Sequence, residues 1–409
     1  MYYRPEPNFI TADVAEALAL DFDVTVVTAH PNYPRGRFYD DVRAPWLPRH
    51  AVEAGVTVWR LPLVPYHGNS IGRRGLMYLT FAAAAAVVAP FVVARPDVVW
   101  VYQTPFTTAL AALWFKLAYR ARLVYTCADL WPESLLAANV AKGGLFVRAL
   151  FGYRRWINRS ADTVVASTRG TARRFASEGV PAERIRIVPV WVESAEPPSV
   201  LAAPEGMAIP SIVYAGNLGP AQQLETLVRA GAILARAGVP VTLDLYGSGS
   251  CAGELQGLAV SLGADNVRFH GRVSPAEAFA VSRRALGQVV SLRRSPLFDM
   301  TVPSKLAFCF AAGAPVLAGL SGEAAEIAAS SRGALAFDPG DPASLAATIQ
   351  DLLALSPAER QAMREQLRLC YERDYARSKL LDRYREILGP PTSGSTASPE
   401  PPEPLERAG

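Results

Sequence analysis

The stretch SLRRSPLFDMTVPSKLAFCFAAGAPVL, Ser291 to Leu317, holds a strand end, a basic loop, a helix and the start of a second strand. The apolar QVVSL ends at Leu292 and Arg293-Arg294 follow at once; Pro303-Ser304-Lys305 then opens a helix, and Gly313 closes it before APVLAGL. Strand, helix and strand in this order make a parallel βαβ unit, because parallel neighbours need a crossover and a helix supplies it. Ser304 stands where a helix cap is expected, Lys305 can reach an anion, and the first-turn N–H groups add their dipoles. Basic side chains and a helix terminus at one strand's carboxyl end make a pyrophosphate site.

Outward from this unit the pattern repeats. SIVYAGNLG, VTLDLYGSG, NVRFHGRV and ALAFDPGD are further strand-like runs, spaced by helical segments such as QLETLVRAGAILARAG and PASLAATIQDLLAL. Upstream, VTVVTA, VTVWRLPL, PDVVWVY, RLVYTCAD, DTVVAST and IRIVPV alternate with helical stretches between residues 20 and 190. Strands alternating with helices predict parallel sheets covered on both faces. The fold class is therefore α/β, with two doubly wound halves and a ligand cleft between them at the strands' carboxyl ends.

The expected organisation is an N-terminal domain over 1–196, a proline-rich linker over 197–210 and a C-terminal domain over 211–372. Residues 373–389 form a closing helix, and the Pro, Ser and Glu content of 390–409 predicts a disordered tail. The opening MYYRPEPNFITADVAEALA offers a loop and a helix with no strand ahead of them. A Rossmann-like half should begin with a strand, so roughly four to six apolar residues are expected ahead of Tyr2.

A chain of 409 residues, half of them hydrophobic and 19% charged, has ample means to bury two cores. Net charge is only +4, and the arginine pairs 73-74, 154-155, 173-174 and 293-294 are interleaved with apolar runs. That arrangement suits phosphate groups or an anionic membrane surface better than a nucleic-acid groove. The four cysteines and four histidines are scattered, which predicts a reducing cytoplasm, no disulfides and no metal. No signal peptide pattern opens the chain. GLMYLTFAAAAAVVAPFVVA, Gly75 to Ala94, is uncharged and long enough to span a bilayer. Its alanine content, Pro90 and direct run into RPDVVWVY favour a core helix with an apolar outer face.

The dinucleotide fingerprint GxGxxG after a first strand is missing. In AGNLGPAQQLETL, Ala215 to Leu227, a strand ends at Tyr214, Gly216 and Gly219 make a loop, and a helix is expected near Ala221. Loop and helix would turn N–H groups toward a diphosphate, with Asn217 between the glycines. GSGSCAG follows the next strand, and its Gly247 and Gly249 either bring backbone close to a ligand or make a tight turn.

PNYPRGRFY (31–39), DLWPES (129–134), GNLGPAQQLE (216–225) and PLFDMTVPSKL (296–306), in this order, resemble family 4 of the retaining glycosyltransferases. The similarity is to the branch of bacterial fucosamine and colanic-acid glycosyltransferases, and it covers roughly residues 2 to 389. It implies a GT-B fold, a nucleotide-sugar donor on the C-terminal domain, an acceptor on the N-terminal one and a last helix crossing back. It also implies no cofactor and no metal, with helix dipoles and basic groups stabilising the departing nucleoside diphosphate.

The chain departs from the family pattern at four places. Asn217 and Gln222 replace an Arg and a Lys of the glycine loop, and Met300 and Phe308 replace two glutamates eight residues apart. The donor diphosphate then falls to Gly216, Asn217, Gly219, Arg293, Arg294, Ser304 and Lys305. The nucleoside falls to Gly247, Gly249, Phe308 and Glu323, with Glu326 as an alternative to Glu323. Across the cleft, Asp129, Glu133 and Glu6 are the catalytic candidates, and Asn8 and Trp131 the acceptor contacts.

The resulting expectation is a metal-independent glycosyltransferase on the inner face of the plasma membrane. It would move a UDP-linked sugar to a lipid-linked or oligosaccharide acceptor for O-antigen, capsule or exopolysaccharide. A sugar-nucleotide 2-epimerase of the same shape and a non-catalytic nucleotide-sugar binder are the rival readings. Nucleic acid is not an expected partner.

Overall fold

The computed structural model describes residues 1–7, 9–68, 70–103, 106–128, 130–131, 133, 144–192 and 209–390. In the N-terminal half the strands are β1 Thr25–Ala29, β2 Arg49–Glu53, β3 Val56–Leu61, β4 Val98–Tyr102, β5 Arg122–Cys127, β6 Thr163–Ala166 and β7 Ile185–Ile187. Its helices are α1 Phe9–Leu18, α2 Ile71–Val92, α3 Ala109–Tyr119, α4 Leu145–Ser160 and α5 Arg169–Ser177. The C-terminal half has β8 Ser211–Ala215, β9 Thr242–Tyr246, β10 Val267–Gly271, β11 Gly287–Ser291, β12 Val316–Gly319 and β13 Ala334–Ala336. Its helices are α6 Glu225–Arg236, α7 Ala252–Leu262, α8 Pro275–Arg284, α9 Pro296–Asp299, α10 Ser304–Ala312, α11 Gly322–Ser330, α12 Pro342–Ala354, α13 Pro357–Asp374 and α14 Arg377–Leu388.

The six C-terminal strands form one parallel sheet in the order β10-β9-β8-β11-β12-β13. Numbered within the domain this order is 3-2-1-4-5-6, and the reversal between β8 and β11 is the switch point at which such sheets open a crevice. Every residue of β11 and β12 is buried, as expected for strands covered on both faces. One face packs under α6, α7 and α12, the other under α8, α10 and α13.

The N-terminal strands fall into two sheets, β1-β3-β2 and β4-β5-β6-β7. Pairing is parallel except between β2 and β3. Among the described residues no backbone hydrogen bond joins β1 to β4. The two strands nevertheless share a layer, since Val27 and Val99 pack against the same cluster around Ala89 and Phe115.

Helix α14 crosses back to the N-terminal domain. Leu380, Leu381, Tyr384 and Leu388 pack against Ile10, Val14 and Leu18 of α1 and against Val124 and Val165 of the sheet. Arg377 adds a 2.7 Å bond to Asp13. The chain thus ties its last helix to its first.

Helix α2 covers the stretch that sequence alone left between core helix and membrane span. Met77, Phe81, Ala85 and Ala89 are buried beneath it, whereas Leu76, Leu79, Val87 and Phe91 are exposed. It is the one helix among the described residues long and apolar enough to cross a membrane.

Candidate active site

The donor side of the cleft is built from two backbone loops pressed together. Gly216, at the end of β8, donates its N–H to the Tyr246 carbonyl at 2.8 Å, and Leu218 bonds to Ser248 at 2.9 Å. A Cβ on Gly247 would stand 1.8 Å from the Gly216 carbonyl oxygen, and one on Gly249 2.3 Å from that of Leu218. Gly247 and Gly249 therefore serve the contact between the loops, which corrects their expected place beside the nucleoside. Gly216 and Asn217 remain exposed, while Gly219 is buried against the Asn217 side chain.

The helix expected near Ala221 starts later. Pro220–Gln222 makes a single 3-10 turn, Gln223 takes a left-handed conformation, and α6 begins at Glu225. Arg293 holds this turn: its N–H bonds to the Ala221 carbonyl at 2.9 Å and its guanidinium to the Pro220 carbonyl at 3.1 Å. Arg294 makes an exposed pair with Asp338 at 3.1 Å.

Lys305 lies directly under the glycine loop. Its ammonium donates to the Ala215 carbonyl and sits 3.9 Å above the Tyr214 ring. A Cβ on Gly216 would be 2.4 Å from Lys305 Nζ and would push the amine aside. Burial lowers the amine's pKa to about 8, against a smaller opposing effect of Cys309. Ser304 is not the cap of α10: that place belongs to Pro303, which offers no side-chain bond. Ser304 is the exposed first helical residue, and its N–H and that of Lys305 have no partner among the described residues. Phe308 is turned away, 5.7 Å edge-on to Phe279, and packs with the core on that face of the sheet.

The largest correction concerns Glu323, expected at the ribose. It is 5% exposed and accepts the backbone N–H groups of Arg169 at 2.8 Å and Gly170 at 2.6 Å. These are first-turn donors of α5 in the other domain, so a carboxylate from the C-terminal half caps a helix of the N-terminal half. Glu326 bonds Arg169 at the rim, at 3.1 Å. Beside it Thr168 Oγ1 donates to the Met300 carbonyl at 2.7 Å, and Met300 and Leu297 pack into the N-terminal core around Phe175. A cavity of about 200 Å³ remains between the halves, lined by Thr168, Arg169, Pro303, Ser304, Glu323 and Arg383 among others.

On the acceptor side two expected carboxylates are already engaged. Glu6, 3% exposed, accepts the N–H groups of Asn32 at 2.8 Å and Tyr33 at 2.7 Å and so pins the loop carrying PNYP. Burial raises its pKa while those bonds oppose the rise. Glu133 pairs at 2.5 Å with Arg154, a 3% exposed guanidinium that also binds Glu178. Burial works to lower the Arg154 pKa, and the two carboxylates outweigh it and raise it. Trp131 is half-buried, and its carbonyl accepts from Arg154 at 3.3 Å. Asp129 and Asn8 lie outside the described residues.

The structure thus brings together Gly216, Asn217, Gly219, Arg293, Ser304 and Lys305. Among the described residues no group of three His, Cys, Asp or Glu side chains is placed to hold a metal. Sequence reasoning missed Thr168, Arg169 and Gly170. The signal was present, since a threonine after the strand DTVVA is a ready helix cap, and here its side chain accepts from Thr171 N–H.

Two Rossmann-like domains facing a cleft, with anion-binding groups at the second sheet's switch point and a helix crossing back, define a GT-B glycosyltransferase. Residues 7–191 match the family model described as glycosyl transferase 4-like domain, and residues 209–355 the one described as glycosyl transferases group 1. The chain belongs to the family 4 GT-B glycosyltransferases. It is 29% identical over 335 residues to WcaI of Escherichia coli (strain K12), a candidate colanic acid biosynthesis glycosyl transferase, covering 76% of this chain and 79% of the relative. In fold it is similar to sucrose-phosphate synthase from Thermosynechococcus elongatus, with a TM-score of 0.70, 18% identity and 93% and 92% of the two chains covered. It is also similar to Anabaena HepE solved with UDP and glucose, with a TM-score of 0.59, 17% identity and coverage of 82% and 86%.

Proposed function

We propose that this glycosyltransferase moves a sugar from a UDP-linked donor to a lipid-linked or oligosaccharide acceptor, with retention, in the synthesis of a bacterial surface polysaccharide. O-antigen, capsule and exopolysaccharide are the pathways that fit, and the inner face of the plasma membrane is the place. The observation that carries the reading is the convergence of the Gly216 loop, Arg293 and the first turn of α10 over Lys305 at the end of β8. These are donors preorganised for the charge that develops on a departing diphosphate, the largest single contribution in most transfer reactions. The names of WcaI and of the HepE complex support the pathway and the donor base.

In this reading the bond from the anomeric carbon to the diphosphate oxygen breaks and a bond to the acceptor oxygen forms on the same face. The acceptor's proton passes to the departing diphosphate. Glu6 and Glu133 organise backbone and neighbouring side chains and take no part in that transfer. The negative charge is met by N–H groups and basic side chains, without a metal.

The test is incubation with labelled UDP-sugars and lipid-linked or oligosaccharide acceptors in the presence of chelator. Expected are acceptor-dependent release of UDP and a product that keeps the donor's anomeric configuration. Release from GDP- or ADP-sugars only would reject the donor assignment, and an inverted product would reject retention.

A further inference from the structure

We propose that the outer face of helices α2, α3 and α4 is a docking surface for an anionic lipid bilayer, on which the N-terminal domain lies without spanning it. The proposal rests on the membrane-side reading above and adds the surface that carries it.

The outward stripe of α2 runs through Leu76, Leu79, Val87 and Phe91, the last 87% exposed. These positions recur at helical spacing, with exposed Ala83 and Ala86 between them, so the stripe is apolar over most of the helix. Helix α3 packs beside α2 and repeats the pattern, with Leu110, Trp114 and Leu117 exposed, Leu117 at 81%. Surface helices normally turn charge outward, and single exposed apolar residues need no explanation. Two adjacent helices with apolar outer faces make a contiguous patch, which marks an interaction site.

Charge selects the occupant. Helix α4 packs into the same hydrophobic cluster as α3, which holds Leu113, Tyr153 and Ile157. Its exposed face carries Arg148, Arg155 and Arg159, and between them Trp156, with Leu145 at the start of the helix. Arg73 and Arg74 open α2, and Arg120 follows α3. An apolar strip bordered by arginine, with tryptophan near the boundary, matches the acyl and headgroup layers of an anionic membrane.

Spanning is excluded by the inner face of α2. Met77 and Phe81 are 2% exposed and belong to the core beneath β1 and β3. Extracting the helix into lipid would strip that core. The chain direction adds a consequence: β3 ends at Leu61 on the cleft side, so Arg73 and Arg74, soon after, lie at the cleft end of α2. A bilayer on this face would hold a lipid-linked acceptor next to the cleft.

The experiment is co-sedimentation of the full chain with phosphatidylcholine vesicles, with and without phosphatidylglycerol, at low and high salt. Three forms are compared: the unmodified chain, L76E/L79E/F91E, and R148E/R155E. UDP-induced thermal shift in solution checks that each variant is folded. Expected is sedimentation with the anionic vesicles, reversed by salt, lost in the apolar variant and weakened in the arginine variant. Each arginine removed should lower partitioning about fivefold. Vesicle binding unchanged in both folded variants would overturn the proposal, as would no binding by the unmodified chain. A dimer that dissociates in L76E/L79E/F91E, without vesicle binding, would assign the face to a second copy and overturn it equally. Transfer to a soluble acceptor separates the two readings: activity without vesicle binding sinks the docking surface alone, and vesicle binding without transfer sinks the proposed acceptor chemistry alone.

Discussion

Replacing Glu323 by alanine should open the cleft. In the structure its carboxylate accepts two backbone N–H groups of α5, at 2.8 and 2.6 Å, from a position 5% exposed to solvent. Hydrogen bonds to a charged group contribute about 1.5–3 kcal/mol each. In the open form both N–H groups regain water, so the net loss is nearer 3 kcal/mol for the pair, or roughly a hundredfold in the closure equilibrium. Arg169 adds little, being half exposed and 3.5 Å away. Small-angle scattering of the protein without donor reads the opening as a larger radius of gyration, and steady-state kinetics reads it as a raised donor KM. Glu323→Gln keeps an acceptor and should fall between. An E323A protein with unchanged scattering but weakened UDP binding would refute the reasoning and return Glu323 to the ribose.

Lys305→Ala should weaken UDP binding about tenfold or more, a charge-assisted contact being lost; isothermal titration at fixed salt measures it, and unchanged affinity would remove Lys305 from the site. Lys305 also sets a pH dependence. Its folded pKa of about 8 lies below the 10.5 of a free lysine, so the unfolded chain binds more protons in that window. Stability should therefore rise with pH between these two values, and urea midpoints should show a rise that Lys305→Met removes. Arg154→Met strands Glu133 and Glu178 in a buried site and should cost about 3–5 kcal/mol, seen as a fall of roughly 10 °C in the thermal midpoint. Glu133→Gln should lose far less activity than a catalytic carboxylate would, and a collapse of kcat with normal stability would restore its catalytic role.

The fold was legible because its signals are periodic and local. Runs such as QVVSL and APVLAGL are mostly apolar since β11 and β12 are covered on both faces. The placement of the glycine loop and of Pro-Ser-Lys was legible for a related reason: each follows a strand, so both come to the switch point wherever the side chains go. The carboxylates were not legible. Glu6, Glu133 and Glu323 sit in segments that border the cleft, yet each is directed to a partner distant in sequence: Asn32, Arg154 and Gly170. Spacing along the chain carries no trace of such pairings. Gly247 and Gly249 were misplaced for the same reason, because the backbone they approach belongs to the neighbouring loop.

One position where the chain departs from its family's pattern, Met300, joins the two domains. Met300, where a glutamate is usual, packs into the N-terminal core, and its carbonyl binds Thr168. Phe308 packs on Phe279, and the nearest carboxylate, Glu323, closes on α5. All three flank the segment between β11 and α11. That segment also carries Arg293, fastened to the turn after the glycine loop, and Ser304 and Lys305 at the start of α10. A diphosphate held by Arg293, Ser304 and Lys305 would engage the segment that also carries Leu297 and Met300, which hold α9 against the N-terminal domain. If the proposed donor site holds, donor binding and closure are coupled through that segment. A donor held by its phosphates would then bias the domains toward the closed arrangement, since a ligand shifts such an equilibrium by its preference for one state.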